Sequence, residues 1–281
     1  MTVDEPPNSE PAPPLPATPA EAVAQARIRF PTRGNRKLER LLETANDDAQ
    51  LKSWWHVAQV NAHRLGMSDH SWVHIQIVAN IALRLLRLLV RRGVEPGVVR
   101  DYGMDARDSE VVVAAAALLH CVGMSIHRTD HETYSLFLAA DKLDSLLAGV
   151  YEEPERSVIA AEVMHAIIAH RRRGDPLTLE AGIVRVADAL DMAKGRSRVP
   201  FEAGKMNIHS LSAAAIDEVR IEPGEDKAVR IEIDMNNSSG IFQIDELLAT
   251  KLRGSGLEDH VEVVAQIEAE HEKRLVPLFR L

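Results

Sequence analysis

The sequence predicts a mainly α-helical domain followed by a small α+β unit. Hydrophobic residues make up 46% of the chain and aromatic residues 4%, which is typical of helical cores built from Leu, Val, Ile and Ala. Apolar residues recur at helical spacing from about residue 21 onward, whereas beyond Pro200 apolar and polar residues alternate as they do in strands. We therefore divide the chain into a tail (1–20), a helical domain (21–205) and a C-terminal unit (206–281).

The composition favours a cytoplasmic protein without a targeting segment. Residues 1–20 hold seven of the fourteen prolines and lack the basic and apolar regions of a signal peptide, so we expect a disordered tail. The net charge of -9 argues against general nucleic-acid binding and against binding to anionic membranes. The chain has one cysteine, which excludes an internal disulfide and fits a reducing compartment.

The helical domain is predicted to be a succession of amphipathic and buried helices. After RKLERLLETA comes a longer helix, which we expect to open at Asn46 and to end at Gly66. The apolar run IQIVANIALRLLRLLV is interrupted by Asn80 and two arginines, so we expect a core helix and not a membrane span. VVVAAAALLHC contains the β-branched residues of a strand, but its alanines favour a buried helix ending at Gly123. Three further helices are expected from HETYS, EEPERS and TLEAG, the last opened by Thr178.

The C-terminal unit is predicted to have a ββαβ order. AIDEVRIEP and KAVRIEIDM alternate apolar and polar residues and are separated by the turn-forming PGED, which indicates a β-hairpin. GIFQIDELLATKLRGSG returns to helical spacing, and HVEVVAQIEAE has the pattern of a third strand. A unit of this size has a small core, so we expect it to dock on the helical domain or to pair with a copy of itself in a homo-oligomer. An interaction or regulatory role is expected for it, with a purely structural role as the alternative.

Histidines occur on successive predicted helices at positions that suit a metal site. His70 and His74 lie one helical turn apart, and His70 follows the expected cap residues Ser68 and Asp69. Further along, LLHCVGMSIHR contains His120, and later helices carry His131, His165, His170 and Asp188. The order of these residues resembles the HD superfamily of metal-dependent phosphohydrolases over roughly residues 46 to 200.

The resemblance implies an all-helical HD-type domain with a divalent metal ion: Mn, Mg, Fe or Zn. It maps three ligands of the first metal onto His74, His120 and Asp188, and it places Cys121 where the family has the Asp of its His-Asp doublet. The ligands of a second metal would come from the histidines of the intervening helices, which are His131, His165 and His170. His165 and His170 are five residues apart, about 140° around a helix, so they cannot point the same way.

Cys121 leaves three interpretations open. A thiolate is a soft ligand, which would bias the site from Mg or Mn toward Zn or Cu(I). The site could instead run on its remaining ligands, or it could be a silent pocket that only binds. Cysteine is also among the residues most often buried in a core, although the adjoining histidines favour a ligand. The thiol would need a nearby cation in order to lose its proton.

Basic residues close to the histidines indicate a phosphorylated small molecule as the partner. Arg128 follows His127, and arginines 171 to 173 follow His170. Arginine grips phosphate oxygens in a bidentate fork, although the last turn of a helix also favours basic residues for electrostatic reasons alone. We expect phosphate binding by Arg171, Arg196 and Arg198, and catalytic roles for His120, Asp188, Arg128 and Lys194.

Three functions from different classes are compatible with the sequence. The resemblance implies hydrolysis of a phosphate ester by metal-activated water, with a nucleotide as the commonest substrate class of the family. A silent member that binds a nucleotide or a protein partner is the alternative that Cys121 favours. A di-iron oxygenase is a third alternative, and Cys121 counts against it because that chemistry depends on a bridging carboxylate.

Overall fold

The protein is described here by a computed structural model that covers residue 15 and residues 18–193 and 212–267. Most of the predicted tail therefore lies outside the described residues. The same holds for Lys194, Arg196 and Arg198, whose predicted roles in catalysis and phosphate binding concern residues that the structure does not describe.

The described chain is mainly helical, with a small sheet at its C-terminal end, as predicted. The helices before the sheet are α1 Pro19–Gln25, α2 Arg36–Asp47, α3 Ala49–Leu65, α4 Trp72–Arg91, α5 Gly97–Tyr102, α6 Ala106–Leu119, α7 His131–Leu147, α8 Glu155–Ala169 and α9 Leu179–Leu190. A short 3₁₀ turn, Val122–Ser125, joins α6 to the segment before α7. The predicted helix at VVVAAAALLHC is confirmed as α6.

The helix caps confirm one predicted start and correct another. Thr178 caps α9 by accepting a hydrogen bond from the N–H of Ala181, as expected. The expected start at Asn46 is wrong, because α2 continues to Asp47 and the side chain of Asp48 caps α3. The Asn46 amide instead accepts from the N–H of Ile28 and donates to its carbonyl, both at 2.9 Å. A contact between distant segments thus uses the side chain that local sequence assigned to a cap.

Helix α6 lies at the centre of the helical domain. Its residues from Val111 to Leu119 are fully buried, and it packs against α4 and α8 and also contacts α9. The run of four alanines at 114–117 leaves room for neighbouring helices to approach closely. Helix α4 and residues 106–125 are each long and apolar enough to cross a membrane, but 61% and 89% of these segments are buried inside the protein. Such helices are also what the core of a water-soluble domain contains, so the membrane signal is weak.

The C-terminal sheet has the predicted ββαβ order. Strands β1 Ile216–Pro223 and β2 Val229–Met235 are antiparallel, and β3 Val261–Ile267 lies parallel to β2 on its other side. The connection to β3 contains a helical stretch at residues 238–252, called α10, in which a π-helical segment, Ile244–Ala249, is flanked by short helical turns.

One face of the sheet is buried toward helix α4. Alternate residues of β2, beginning with Val229 and ending with Met235, are buried, which confirms the period of two seen in the sequence. The Arg84 Nε of α4 donates to the carbonyl of Ile221, and the Arg92 guanidinium donates to the carbonyl of Glu225 at 2.7 Å. The C-terminal unit therefore docks on the helical domain.

Candidate metal centre

Four imidazoles, one thiol and one carboxylate meet inside the helical domain. They come from the ends or first turns of different helices, so each is held by its own helix. His74 lies in the first turn of α4, His120 and Cys121 directly follow α6, His131 begins α7, His170 follows α8 and Asp188 lies in α9. The four imidazoles and the thiol are between 0% and 6% exposed.

The cluster consists of two triads that share one sulfur. In the first triad, ligand atoms of His74, His120 and Cys121 all lie within 4.8 Å of one another. The second triad joins the same Cys121 to His131 and His170 within the same limit. His74 Nε2 is 3.2 Å from His120 Nε2 and 4.0 Å from Cys121 Sγ. The thiol is therefore the one group that belongs to both halves of the cluster.

Asp188 extends the first triad with a carboxylate. Its Oδ1 is 3.5 Å from His74 Nε2 and 3.7 Å from His120 Nε2. Its second oxygen forms an ion pair with the Lys251 ammonium of α10. The structure thus brings together the three residues that the sequence matched to one metal, and it adds a lysine that the sequence did not indicate.

Backbone and carboxylate acceptors fix the orientation of three imidazoles. His120 Nδ1 donates to the carbonyl of Ala117 at 2.8 Å, and His170 Nδ1 donates to the carbonyl of Ile167 at 2.5 Å. His74 Nδ1 donates to Asp191 Oδ2 at 2.5 Å. Each bond uses the Nδ1 proton outside the cluster and turns Nε2 toward it, which is how metal-binding histidines are usually supported.

Sequence reasoning missed Asp191, and its spacing was the available signal. Asp188 and Asp191 are three residues apart at the end of α9, so both lie on the same face. His70 lies at the outer edge of the cluster, where its ring centroid is 5.4 Å from that of His74. Its Nδ1 donates to the carbonyl of Ser68 at 2.7 Å. The expected cap at Ser68 and Asp69 is wrong, because the Ser71 side chain caps α4 and His70 precedes the helix.

The electrostatics of the cluster favour a thiolate at Cys121. Burial alone would raise the pKa of the thiol, but the charge of His120 and hydrogen bonds from His120, His131 and His170 hold it well below its usual range. Burial likewise opposes the charge on His120, yet Cys121 and Asp188 raise the pKa of this imidazole to about 10. The condition for loss of the thiol proton, a cation close to the sulfur, is therefore met by the protein itself.

The second triad opens toward charged residues. Burial lowers the pKa of His131, but Cys121 and Glu132 outweigh burial and raise it to about 9. Burial raises the pKa of Glu132, and His131 reverses this effect and lowers it to about 2. Arg128 Nη1 lies 2.8 Å from His131 Nδ1, which places this guanidinium at the edge of the cluster. Burial lowers the pKa of His170, which favours a neutral imidazole.

His165 does not join either triad. Its Nε2 accepts a hydrogen bond from the N–H of Leu177 at 3.0 Å. His170, five residues later, belongs to the cluster instead. The 140° between them along the helix allowed only one of the two to face the site. Arg171 lies directly after His170, exposed at the surface next to the second triad.

The donor set fits a divalent ion of intermediate or soft character. Imidazole nitrogen and thiolate sulfur suit Zn, and imidazole also suits Fe, whereas Mg and Mn prefer carboxylate and carbonyl oxygens. Among the residues that the structure describes, Asp188 supplies the carboxylate oxygen closest to the Nε2 atoms of both His74 and His120. The protein thus offers a nitrogen- and sulfur-rich centre in which oxygen is the minor donor.

Comparison with known proteins identifies the same region. The HD domain family pattern matches residues 68–193, which contain the whole cluster apart from Lys251. The uncharacterized protein MJ1020 of Methanocaldococcus jannaschii is 42% identical over 207 residues, which is 74% of this chain and 80% of that protein. Ribonuclease Y of Desulforudis audaxviator is 32% identical over 131 residues, which is 46% of this chain and 22% of that protein. No solved structure matches.

Proposed function

Because the chain belongs to the HD superfamily of metal-dependent phosphohydrolases, we propose that it hydrolyses a phosphate ester of a small molecule at the cluster around Cys121. The observation that carries the proposal is the sharing of one buried sulfur by two triads of ligands, with Asp188 beside the first. A nucleotide is the substrate class that we favour. The helical part, residues 21–205, would carry the chemistry in the cytoplasm.

The proposed ligands fall into two groups. His74, His120 and Asp188 would hold one divalent ion, His131 and His170 would hold a second, and Cys121 would serve both. A bound divalent ion lowers the pKa of a coordinated water toward neutrality and withdraws charge from phosphoryl oxygens. The preference of sulfur and nitrogen for softer ions favours Zn over Mn, Mg or Fe in this chain.

The protein's own side chains have separate tasks in this proposal. Asp191 holds His74 in one tautomer, and the Ala117 carbonyl does the same for His120. Asp188 would bind the ion through the oxygen nearest to the two imidazoles, and the proton of the attacking water would leave to solvent. Arg128, at the edge of the second triad, would donate hydrogen bonds to the phosphoryl oxygens. Its positive charge would stabilise the negative charge that develops on those oxygens during the reaction. Phosphate binding by Lys194, Arg196 and Arg198 stays a prediction.

The silent binding protein is the second candidate, and Cys121 is the residue that favours it. In that case the triads would hold no ion, and the imidazolium of His120 beside the thiolate would stabilise the cluster. A di-iron oxygenase would need a bridging carboxylate at the position that Cys121 occupies, which argues against this chemistry.

Metal analysis separates the candidates. We expect the purified, untagged protein to contain metal at one to two equivalents by elemental mass spectrometry, and to hydrolyse a generic phosphomonoester or phosphodiester with Zn or Mn present. His120→Ala should lose both properties. His165→Ala is the matched control, because it removes an imidazole of the same helical domain that lies outside the triads.

Each outcome supports one account. Metal and hydrolysis lost in His120→Ala and kept in His165→Ala would support the phosphohydrolase. Failure of the wild-type protein to take up metal, even after reconstitution, would leave the silent binding protein. Equal losses in both variants would contradict the assignment of the triads.

A further inference from the structure

We propose that the C-terminal unit completes the site with a binding pocket for a second anionic group, so that the substrate is a phosphate ester that carries a further chain of phosphates. This inference deepens the proposed function and rests on it for the statement that the anion belongs to the substrate. It is carried by three features of the described residues: close docking of the C-terminal unit on α9, an ion pair that enters the cluster, and an arginine-lined pocket.

The C-terminal unit packs closely against α9, the helix that carries Asp188. A Cβ atom on Gly182 would lie 2.0 Å from the backbone oxygen of Ser255, so α9 and the segment after α10 are in backbone contact. Arg185 is 4% exposed, and its guanidinium donates to the carbonyls of Arg172, Gly174 and Thr250 at 3.0, 2.6 and 3.2 Å. One buried arginine therefore fixes both the arginine segment after α8 and the end of α10.

Lys251 of the C-terminal unit directly contacts Asp188 of the cluster. Its ammonium pairs with the Asp188 oxygen that faces away from the two imidazoles, and both side chains are largely shielded, at 13% and 14% exposed. Because both side chains are shielded from solvent, loss of either one would leave the other as an unpaired charge in the protein, which is unfavourable. Because Asp188 contacts His74 and His120 through its other oxygen, Lys251 sets the position of that carboxylate. Lys251 is thus a positioning residue from outside the HD region.

The pocket lies between the helical domain and the end of α10, and its lining includes Thr250, which precedes Lys251 in the sequence. It has a volume of about 790 Å³ and joins residues from three segments. Its lining residues are Asp130, Glu132, Arg171, Arg172, Arg173, Thr250 and Arg253. Glu132 connects it to the cluster, since its carboxylate is 3.1 Å from His131 Nδ1. The pocket therefore adjoins the second triad.

The charges of the pocket favour a multiply charged anion. Four of its lining residues are arginines and two are acids, although the whole chain carries a net charge of -9. Arg172 pairs with Glu246 at 2.8 Å, whereas Arg171 and Arg173 form no ion pair within the described ranges 18–193 and 212–267. Glu132 is also already engaged with His131. The charge left for a ligand is therefore positive, and it is presented by guanidinium groups that bind phosphate in a fork.

The size and lining of the pocket narrow the ligand class. A volume near 790 Å³ lies in the range of small-molecule sites and exceeds what one phosphate group fills. None of the described lining residues is aromatic, so the pocket offers no ring on which a base could stack. A chain of phosphates that reaches from the second triad to Arg173 and Arg253 satisfies both observations.

Anion binding by the full-length protein tests the proposal. The probes are inorganic triphosphate and orthophosphate, titrated by calorimetry into the protein as purified and again after removal of metal by a chelator, which identifies heat from chelation. We expect triphosphate to bind at least about tenfold more tightly than orthophosphate, and Arg171→Gln with Arg173→Gln to remove at least about tenfold of that affinity. Arg253→Gln, in the C-terminal unit, should weaken it in the same direction.

A matched control and separate readouts make the result decisive. Arg40→Gln with Arg64→Gln removes two exposed arginines from α2 and α3, and it should leave triphosphate affinity within about twofold if the effect is local. Equal affinity for the two anions, equal losses in both double variants, or no effect of Arg253→Gln would overturn the pocket. Triphosphate binding that depends on Arg171, Arg173 and Arg253, together with no hydrolysis of a phosphomonoester or phosphodiester, would instead contradict the proposed function and leave the pocket supported.

Discussion

Replacement of Cys121 by serine should affect two metal equivalents at once. The sulfur is the one ligand common to both triads, whereas His131 belongs only to the second. The serine side chain is only slightly smaller than that of cysteine, but its hydroxyl stays neutral and its oxygen is a hard ligand. Each half of the cluster therefore loses its only soft anionic ligand. Loss of an outer partner of a ligand already costs tenfold to a hundredfold in metal affinity, so loss of the ligand itself should cost at least about a hundredfold per equivalent.

Cobalt(II) titration of the purified protein measures this effect without reference to activity. In the wild-type protein we expect thiolate-to-cobalt absorption that saturates at two equivalents. His131→Ala should keep one equivalent together with the absorption, while Cys121→Ser should lose the absorption and weaken both equivalents. In the metal-free variant the pKa of His120 should fall from about 10, because Cys121 is the main group that raises it against burial.

One result would refute this reasoning directly. If Cys121→Ser bound cobalt with wild-type stoichiometry and affinity, the sulfur would not be a ligand. The metal ligands would then be the histidines and Asp188 alone. If His131→Ala removed both equivalents together, the division into two triads would be wrong even though the sulfur bound metal.

Three further predictions follow from single contacts. Asp191→Ala removes the acceptor that holds the His74 tautomer, and metal affinity should fall about tenfold to a hundredfold in a titration while the circular dichroism spectrum stays unchanged. Cys121→Asp supplies a hard anion, so affinity for Mn or Mg and the rate of phosphodiester hydrolysis should both rise; no gain in either would mean that the site has diverged beyond this position. Gly182→Ala places a methyl group against the backbone oxygen of Ser255 and should cost about 1–3 kcal/mol of unfolding free energy, which a denaturant titration would detect and an unchanged midpoint would contradict.

Periodicity predicted the elements of the fold because it depends on local residues. The alternation of apolar residues in β2 and the alanines of α6 both fixed the type of element before any contact was known. The start of α3 could not be read in the same way. Asn46 is a good cap residue, but its amide is taken by the backbone of Ile28, eighteen residues away, and Asp48 caps the helix instead.

The candidate site, like the fold, could be predicted only where it depends on local sequence. Histidines in a recognisable order could be found in the sequence, and geometry along one helix showed that His165 and His170 could not both contribute. Which of the two enters the cluster depends on how α8 is rotated against α6 and α7, and this is a property of packing. Lys251 was beyond sequence reasoning, because the contact with Asp188 joins residues 63 positions apart across the interface with the C-terminal unit.

The arrangement around Cys121 argues for a retuned centre more than for a decayed one. Burial of four imidazoles is costly unless their nitrogen atoms have partners. Three of them donate Nδ1–H to acceptors outside the cluster, which turns Nε2 toward its interior. A pocket that only binds an organic partner has no need of that common orientation, whereas a metal ion requires it. Sulfur in place of the family's carboxylate oxygen would then shift the preference of the centre toward softer ions.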